Sequence, residues 1–242
     1  MNTLNIAKKG LLLLGMLASA AAFASSEINL DKAPVNLGDQ ASLQRGVKTF
    51  ATYCLNCHSA ASMRYNRLQD IGMTEQQIKD TIITTDAKIG DLMKVAIDKK
   101  EAKVWFGAAP PDLSVIARAR GADWLYTYLR GFYRDESRPT GWNNIAFDKV
   151  GMPHVLYELQ GEQVLSHEGG EHGAAKLTLD KPGKMKPAEY DAMVGDLVNY
   201  LVFMGEPAKL KRGTYGIIAM LLLFALFAVS YQLKKEYWKD VH

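Results

Sequence analysis

The sequence predicts a mainly α-helical domain, exported and carried on one C-terminal transmembrane helix. Three observations predict it: apolar residues at helical spacing between capping signals, a secretory-type N-terminal stretch, and a run of 21 uncharged residues near the C-terminus. The 242 residues are 48% hydrophobic and 23% charged, which excludes wholesale disorder and low-complexity architecture. A chain of this length can bury a core without disulfide staples. The net charge of +3 invites a nucleic-acid reading. No Lys/Arg stripe with interleaved aromatics runs along any helix, so no nucleic-acid partner is expected.

Residues 1–24 have the form of a cleaved signal peptide. Lys8 and Lys9 are followed by the uncharged stretch Gly10 to Ala24, which ends Ala22-Phe23-Ala24. Residues 25–40 read as an N-terminal arm. Asp39 is placed to cap a first helix ending near Tyr53, in which Leu43, Val47, Phe50 and Cys54 share one face with Gly46. Thr74 to Gln77 form a capping box, with Met73 and Ile78 as its hydrophobic staple. Residues 86–105 carry a further helical pattern. Pro110-Pro111 breaks the chain, and Asp112 is placed to cap a short helix through Arg118. Asp123 starts another, with Leu125, Tyr128, Leu129 and Phe132 at helical spacing.

Residues 134–186, rich in Gly, Pro and His, read as loop with short strands, and His167 and His172 lie there in a solvated polar stretch. Pro187 opens the last helix of the domain, which spans 41–206 and ends at Gly205 and Pro207. Residues 207–212 form a basic juxtamembrane linker, 213–233 the transmembrane helix and 234–242 a cytoplasmic tail. The uncharged run makes about 31 Å of helix, the thickness of a bilayer core. Lys234 and Lys235 agree with a positive inner face, whereas Lys209, Lys211 and Arg212 stand on the outer side against that tendency.

The only two cysteines are Cys54 and Cys57, in Cys54-Leu55-Asn56-Cys57-His58. Two thiols three residues apart at a helix end can each add to one vinyl group of a haem, and the adjacent His58 can then reach the iron. A thioredoxin-like pair needs a βαβ context that the sequence lacks, and a zinc site needs further ligands at suitable spacing. One covalently attached haem c is therefore expected. A methionine thioether is the usual sixth ligand for electron transfer. Met152, in Val150-Gly151-Met152-Pro153, suits a dry haem face better than the Lys-flanked Met185, and His154 is a third candidate. No nucleophile–base pair or phosphate loop is present, so the isolated chain is not expected to be an enzyme.

These features resemble the cytochrome c1 family of the cytochrome bc1 complex. The resemblance is carried by Arg45-Gly46, Cys54 to Ser59, Met63-x-Tyr65-x-x-Leu68, Gly107 to Ser114 with Arg118-Ala119-Arg120, and Val150 to Pro153. It implies a class I cytochrome c-like haem domain with insertions, whose first and last soluble helices cross closely, here through Gly46 and Phe50 against Leu197 and Tyr200. It implies thioethers at Cys54 and Cys57, axial ligands His58 and Met152, Arg120 facing a haem propionate, and Pro111 in the haem pocket. Arg118 reads as a solvated residue, and Trp124 and Tyr126 as aromatic core. The implied function is to pass electrons from a Rieske iron–sulfur protein to a soluble or membrane-tethered cytochrome c, beside a cytochrome b subunit in a dimeric complex. The implied location is the bacterial inner membrane, with the haem domain periplasmic. Alternatives are a membrane-anchored mono-haem cytochrome of another respiratory oxidase or dehydrogenase, and a haem enzyme or gas sensor with an open sixth site.

The charge divides unevenly. Residues 25–207 hold 21 basic and 24 acidic residues, and residues 208–242 hold six basic and two acidic ones. A slightly acidic domain on a basic anchor suits electrostatic steering of a basic cytochrome partner.

Overall fold

The computed structural model describes residues 29–240 apart from 96 and 169–173. The predicted signal peptide lies outside the described residues, as do His172 and the last two residues of the predicted tail.

In chain order the elements begin with α1 (Gln40–Tyr53), β1 (Ala60–Arg64), a 3-10 helix (Tyr65–Ile71), α2 (Glu75–Thr81), β2 (Leu92–Met93) and α3 (Lys99–Phe106). There follow α4 (Ile116–Arg120), α5 (Ala122–Arg130), β3 (Phe132–Arg134), β4 (Trp142–Asn144) and α6 (Tyr157–Gln160). The chain continues through β5 (Gly161–Glu168), β6 (Ala174–Pro182), α7 (Pro187–Gly205) and α8 (Lys209–Tyr237). Among the described residues the strands pair as three two-stranded antiparallel sheets, β1–β2, β3–β4 and β5–β6. Helices therefore build the core, as the sequence predicts.

The core is organised by α1 crossing α7. Asp39 caps α1 by accepting the Ser42 N–H at 2.9 Å, and the predicted stripe of Leu43, Val47 and Phe50 is fully buried. Gly46 sits at the crossing, where a Cβ would lie 2.1 Å from the Asp196 carbonyl oxygen and 2.8 Å from Tyr200 Cβ. Only a missing side chain lets the two backbones approach so closely. Phe50 and Tyr200 pack beside this point with ring centroids 5.5 Å apart. Arg45 locks the edge of the crossing with a two-pronged ion pair to Asp196 at 2.6 and 3.0 Å.

The segment before α1 is stitched to the same helices. Ala33 N–H donates to Asp123 and Asp31 N–H to Thr127, both on α5. The fully buried Asn199 of α7 accepts from Asn36 N–H and donates to Asn36 O and Ser42 Oγ, so its polar head is satisfied inside the core.

Several predicted boundaries shift for physical reasons. Asp112 does not cap a helix running to Arg118: α4 begins at Ile116, and the Asp112 carboxylate accepts from Ala61 N and Ser114 N instead. Asp123 lies inside α5, with its carboxylate spent on Ala33 and Lys32. Phe132 belongs to β3, because the helix stops at Gly131. The pattern in 86–105 resolves into β2 and the start of α3, which Asp98 caps. Residues 161–182 form a long β hairpin, with His167 opposite Ala175. The predicted linker is helical from Lys209, and α8 continues as one helix of 29 residues, none of them buried, whose most apolar 18 residues have mean hydropathy 2.2. It is long and apolar enough to cross a membrane.

Replacing Gly46 by Ala drives a methyl group into the α7 backbone. The expected loss of stability is about 3 kcal/mol or more, read as a lowered melting temperature by circular dichroism. A variant that melts like the parent would show that the crossing is looser than described.

Candidate haem site

The end of α1 carries the thiol pair. Cys54 N–H still donates to Phe50 O, and Cys57 N–H and His58 N–H both turn back to Cys54 O at 3.1 and 2.8 Å. This tight turn keeps Cys54, Cys57 and His58 together beside the core. Burial, with Cys57 as a minor contributor, pushes the Cys54 thiol up to about 12, so it is neutral at pH 7. That is the opposite of the depressed thiol expected of a thiol–disulfide redox pair. Cys57 opens onto a cavity of 270 Å³ whose wall includes Ser59, Val95, Lys99, Pro110 and Asp112.

The segment 110–114 is clamped onto β1 and the motif. Leu113 N–H donates to Ser59 O, Ala61 N–H to the Asp112 carboxylate and Ser62 N–H to Ser114 Oγ. The clamp presents the Pro111 carbonyl to His58 Nδ1 at 2.8 Å. A carbonyl can only accept, so Nδ1 carries the proton and Nε2 keeps its lone pair. Burial lowers the His58 pKa, against the smaller opposing pull of the Pro111 bond and Asp112. The ring is thus a neutral imidazole with one nitrogen free to bind a metal. Pro111, predicted for the haem pocket, contributes through its carbonyl.

A second group of predicted residues meets along α5. The Arg120 guanidinium lies over the Trp124 ring at 5.0 Å and near Phe147 at 5.8 Å. Trp124 stacks on Tyr128 one turn further on, with centroids 4.9 Å apart. The Tyr128 hydroxyl donates to Met152 Sδ at 3.4 Å. Arg120 and Met152 are therefore joined through two aromatic rings. Tyr128 packs both on the main core, against which Cys54 also packs, and on the smaller cluster of Phe132, Trp142 and Val150 that holds Met152. Among the described residues no acidic side chain pairs with Arg120, which leaves its fork available to an anionic group. Arg118, expected in solvent, lays its stem against Gly205 of α7 while remaining exposed. Tyr126 is a core residue with the Arg130 guanidinium over its ring at 4.5 Å.

The other two candidate ligands are placed differently from Met152. Met185 packs on the main core. His154 is 2% exposed, stacked on Phe132 at 4.8 Å and edge-on to Trp142 at 5.0 Å. Burial pulls its pKa down to about 4, with Gln160 opposing.

Asn143 and Tyr128 are participants that the sequence reading did not single out. Asn143, 5% exposed, accepts from Asn144 N and Lys149 N and donates to Asp135 and Asp148. It shapes the turn leading into Met152, where Lys149 takes a left-handed backbone with φ 57°. A polar Asn143-Asn144 pair between aromatic residues was the available signal.

Fold and motif together define a class, a helical c-type cytochrome domain with one C-terminal helix of membrane-spanning length. The model of the Cytochrome C1 family matches residues 31–241, and the chain belongs to that family. It is 49% identical to cytochrome c1 of Allochromatium vinosum, over 88% of this chain and 90% of that one. It is 56% identical to a Nitrosomonas europaea protein named ammonia monooxygenase gamma subunit, over 97% and 98% of the two chains. A Candida albicans protein named cytochrome b-c1 complex catalytic subunit, mitochondrial, is 24% identical over 84% of this chain and 73% of its own length. Family members carry a covalently attached haem c, and this chain's cofactor is one haem c.

The His154 pKa gives a pH test. Its ordinary value is 6.5 and its folded value about 4, so in that interval the unfolded chain binds a proton that the folded chain refuses. Stability is full above pH 6.5 and falls by about 3 kcal/mol as pH drops to 4. Thermal melts of the haem-loaded protein between pH 7 and 4 should be flatter for His154→Phe than for the parent. Equal slopes would remove His154 from the acid response.

Proposed function

We propose that this chain is the electron-relay subunit of a quinol-oxidising cytochrome bc1 complex, with Cys54 and Cys57 holding the haem and His58 and Met152 its axial ligands. One observation carries the reading: the neutral His58, fixed at Nδ1 by Pro111, directly follows a thiol pair in a chain matching cytochrome c1 over residues 31–241.

When bound, the haem supplies a one-electron carrier. The chain's own residues do the rest. The Pro111 bond sets the ring orientation and tautomer of His58 and raises the basicity of Nε2. The Tyr128 hydroxyl fixes the Met152 thioether by donating to one sulfur lone pair and leaving the other. Thioether ligation raises the potential. The Arg120 fork, seated over the Trp124 ring, would answer a haem propionate with charge-assisted hydrogen bonds. If His58 and Met152 both hold the iron, the haem would offer no open position to oxygen. For that reason the monooxygenase named in the Nitrosomonas europaea relative is not the reading adopted for this chain. In the proposed orientation the domain is periplasmic, α8 crosses the inner membrane once, and the short tail is cytoplasmic. The electron donor is a Rieske iron–sulfur protein and the acceptor a cytochrome c, with cytochrome b as the neighbouring membrane subunit.

The test is purification of the membrane-extracted complex with haem staining after denaturing electrophoresis and a reduced-minus-oxidised spectrum. The expected result is covalent haem on this chain, together with a cytochrome b and an iron–sulfur protein. Copper- or iron-dependent oxygenase subunits in their place would overturn the assignment.

Met152→Leu should lower the midpoint potential and abolish quinol-to-cytochrome c turnover. Tyr128→Phe should keep the methionine ligand but shift the potential and weaken the methionine–iron charge-transfer band. An unchanged potential in Met152→Leu removes Met152 from the iron.

A further inference from the structure

Three basic residues precede the uncharged run on the side where the orientation tendency disfavours them, and the electron-relay role gives them no task. The fold brings two of them to a second, distant cation. Arg67, on the 3-10 helix, and Lys211 and Arg212, in the first turn of α8, line one cavity of 620 Å³ together with Asp70. The remaining wall is apolar or small: Pro207, Leu210, Tyr215, Gly216 and Ala219. The cationic rim and the apolar wall meet where the uncharged stretch begins at Gly213.

The acids in reach do not exhaust the rim. Arg67 pairs with Asp70 at 2.8 Å, Lys211 stands 3.9 Å from the same carboxylate, and Arg212 pairs with Glu206. Three cations thus share two carboxylates. The three basic side chains remain 47%, 64% and 63% exposed, whereas Asp70 is 20% exposed. Asp70 serves as a post that gathers Arg67 and Lys211, and the cationic heads keep free faces toward the cavity. The volume falls within the roughly 300–1,000 Å³ usual for sites that enclose small ligands.

We propose that this cavity binds the phosphate headgroup of one anionic phospholipid, with Arg67 and Lys211 as its principal cations and the acyl chains lying along Tyr215, Gly216 and Ala219. Charge complementarity selects an anion, and the apolar wall continuous with α8 selects an amphiphile over a free ion. The position at the membrane-entry end of the helix supplies that amphiphile. The proposal rests on the membrane-spanning reading of α8 and is independent of the haem ligands.

The test uses the full-length haem-loaded protein in a neutral detergent. It is exposed to phosphatidylcholine vesicles with and without one fifth phosphatidylglycerol, and bound lipid is counted by native mass spectrometry. One phosphatidylglycerol per chain is expected, retained against phosphatidylcholine and not displaced by inorganic phosphate. The double variant Arg67→Gln, Lys211→Gln should lose about tenfold or more in affinity, at about 1 kcal/mol per basic residue near an anionic surface. The charge-keeping pair Arg67→Lys, Lys211→Arg should retain binding, as should Lys234→Gln, Lys235→Gln at the other end of α8.

No preference for phosphatidylglycerol, equal binding by the double variant, or displacement by inorganic phosphate overturns the site. So does protection of Lys211 from amine labelling by the assembled subunits in lipid-free detergent, which would mean that protein fills the cavity. Failure of the chain to enter either kind of vesicle instead overturns the spanning reading of α8, an outcome distinct from the others.

Discussion

Everything in this protein hangs on the contact between α1 and α7 at Gly46. The approach to the Asp196 carbonyl leaves no room for a side chain, so the angle and depth of the crossing are fixed by backbone rather than by adjustable rotamers. One end of α1 is the thiol motif, and α7 leads directly into α8. A single close contact therefore sets the position of the motif relative to the helix that follows the domain. The surrounding interactions, Arg45 with Asp196 and Asn199 with Asn36 and Ser42, close the edges of that crossing.

Two smaller assemblies hang from this frame, and they are built in different ways. The His58 side ends on backbone: a segment clamped through Leu113 N–H, the Asp112 carboxylate and the Ser114 hydroxyl offers one carbonyl, which decides the ring nitrogen that is protonated. The Met152 side is made of side chains: stacked rings on α5 carry a hydroxyl to the sulfur, while Asn143 shapes the incoming loop. Backbone carbonyls survive substitution, and ring stacks do not.

The sequence revealed what is decided locally. The Asp39 cap, the stripe on α1 and the Thr74 box each depend on residues a turn apart, and each stands as expected. The role of Asp112 was not legible, because its strongest competitor for a helix N-terminus is an N–H 51 residues away. The β5–β6 hairpin was hidden for another reason. Val164 and Leu179 are each 38% exposed, and the alternation Lys176-Leu177-Thr178-Leu179-Asp180 covers little more than half of β6, too short a period-two pattern to announce a long hairpin. Tyr128 reads as ordinary helix stripe, and only folding brings it to a sulfur 24 residues away. The partners of the predicted arm were not legible because two of them, Asn199 and Asp123, lie far along the chain.

The span of these stitches bears on the order of events during synthesis. Asn36 and Asn199 are 163 residues apart, so the segment before α1, and α1 at its Gly46 crossing, meet α7 only when nearly the whole domain has been made. At about 5–20 residues per second, the stretch between the motif and α7 occupies on the order of ten to thirty seconds. Through that interval both thiols stand on a helix that lacks its α7 surface, without the full core that later packs around Cys54.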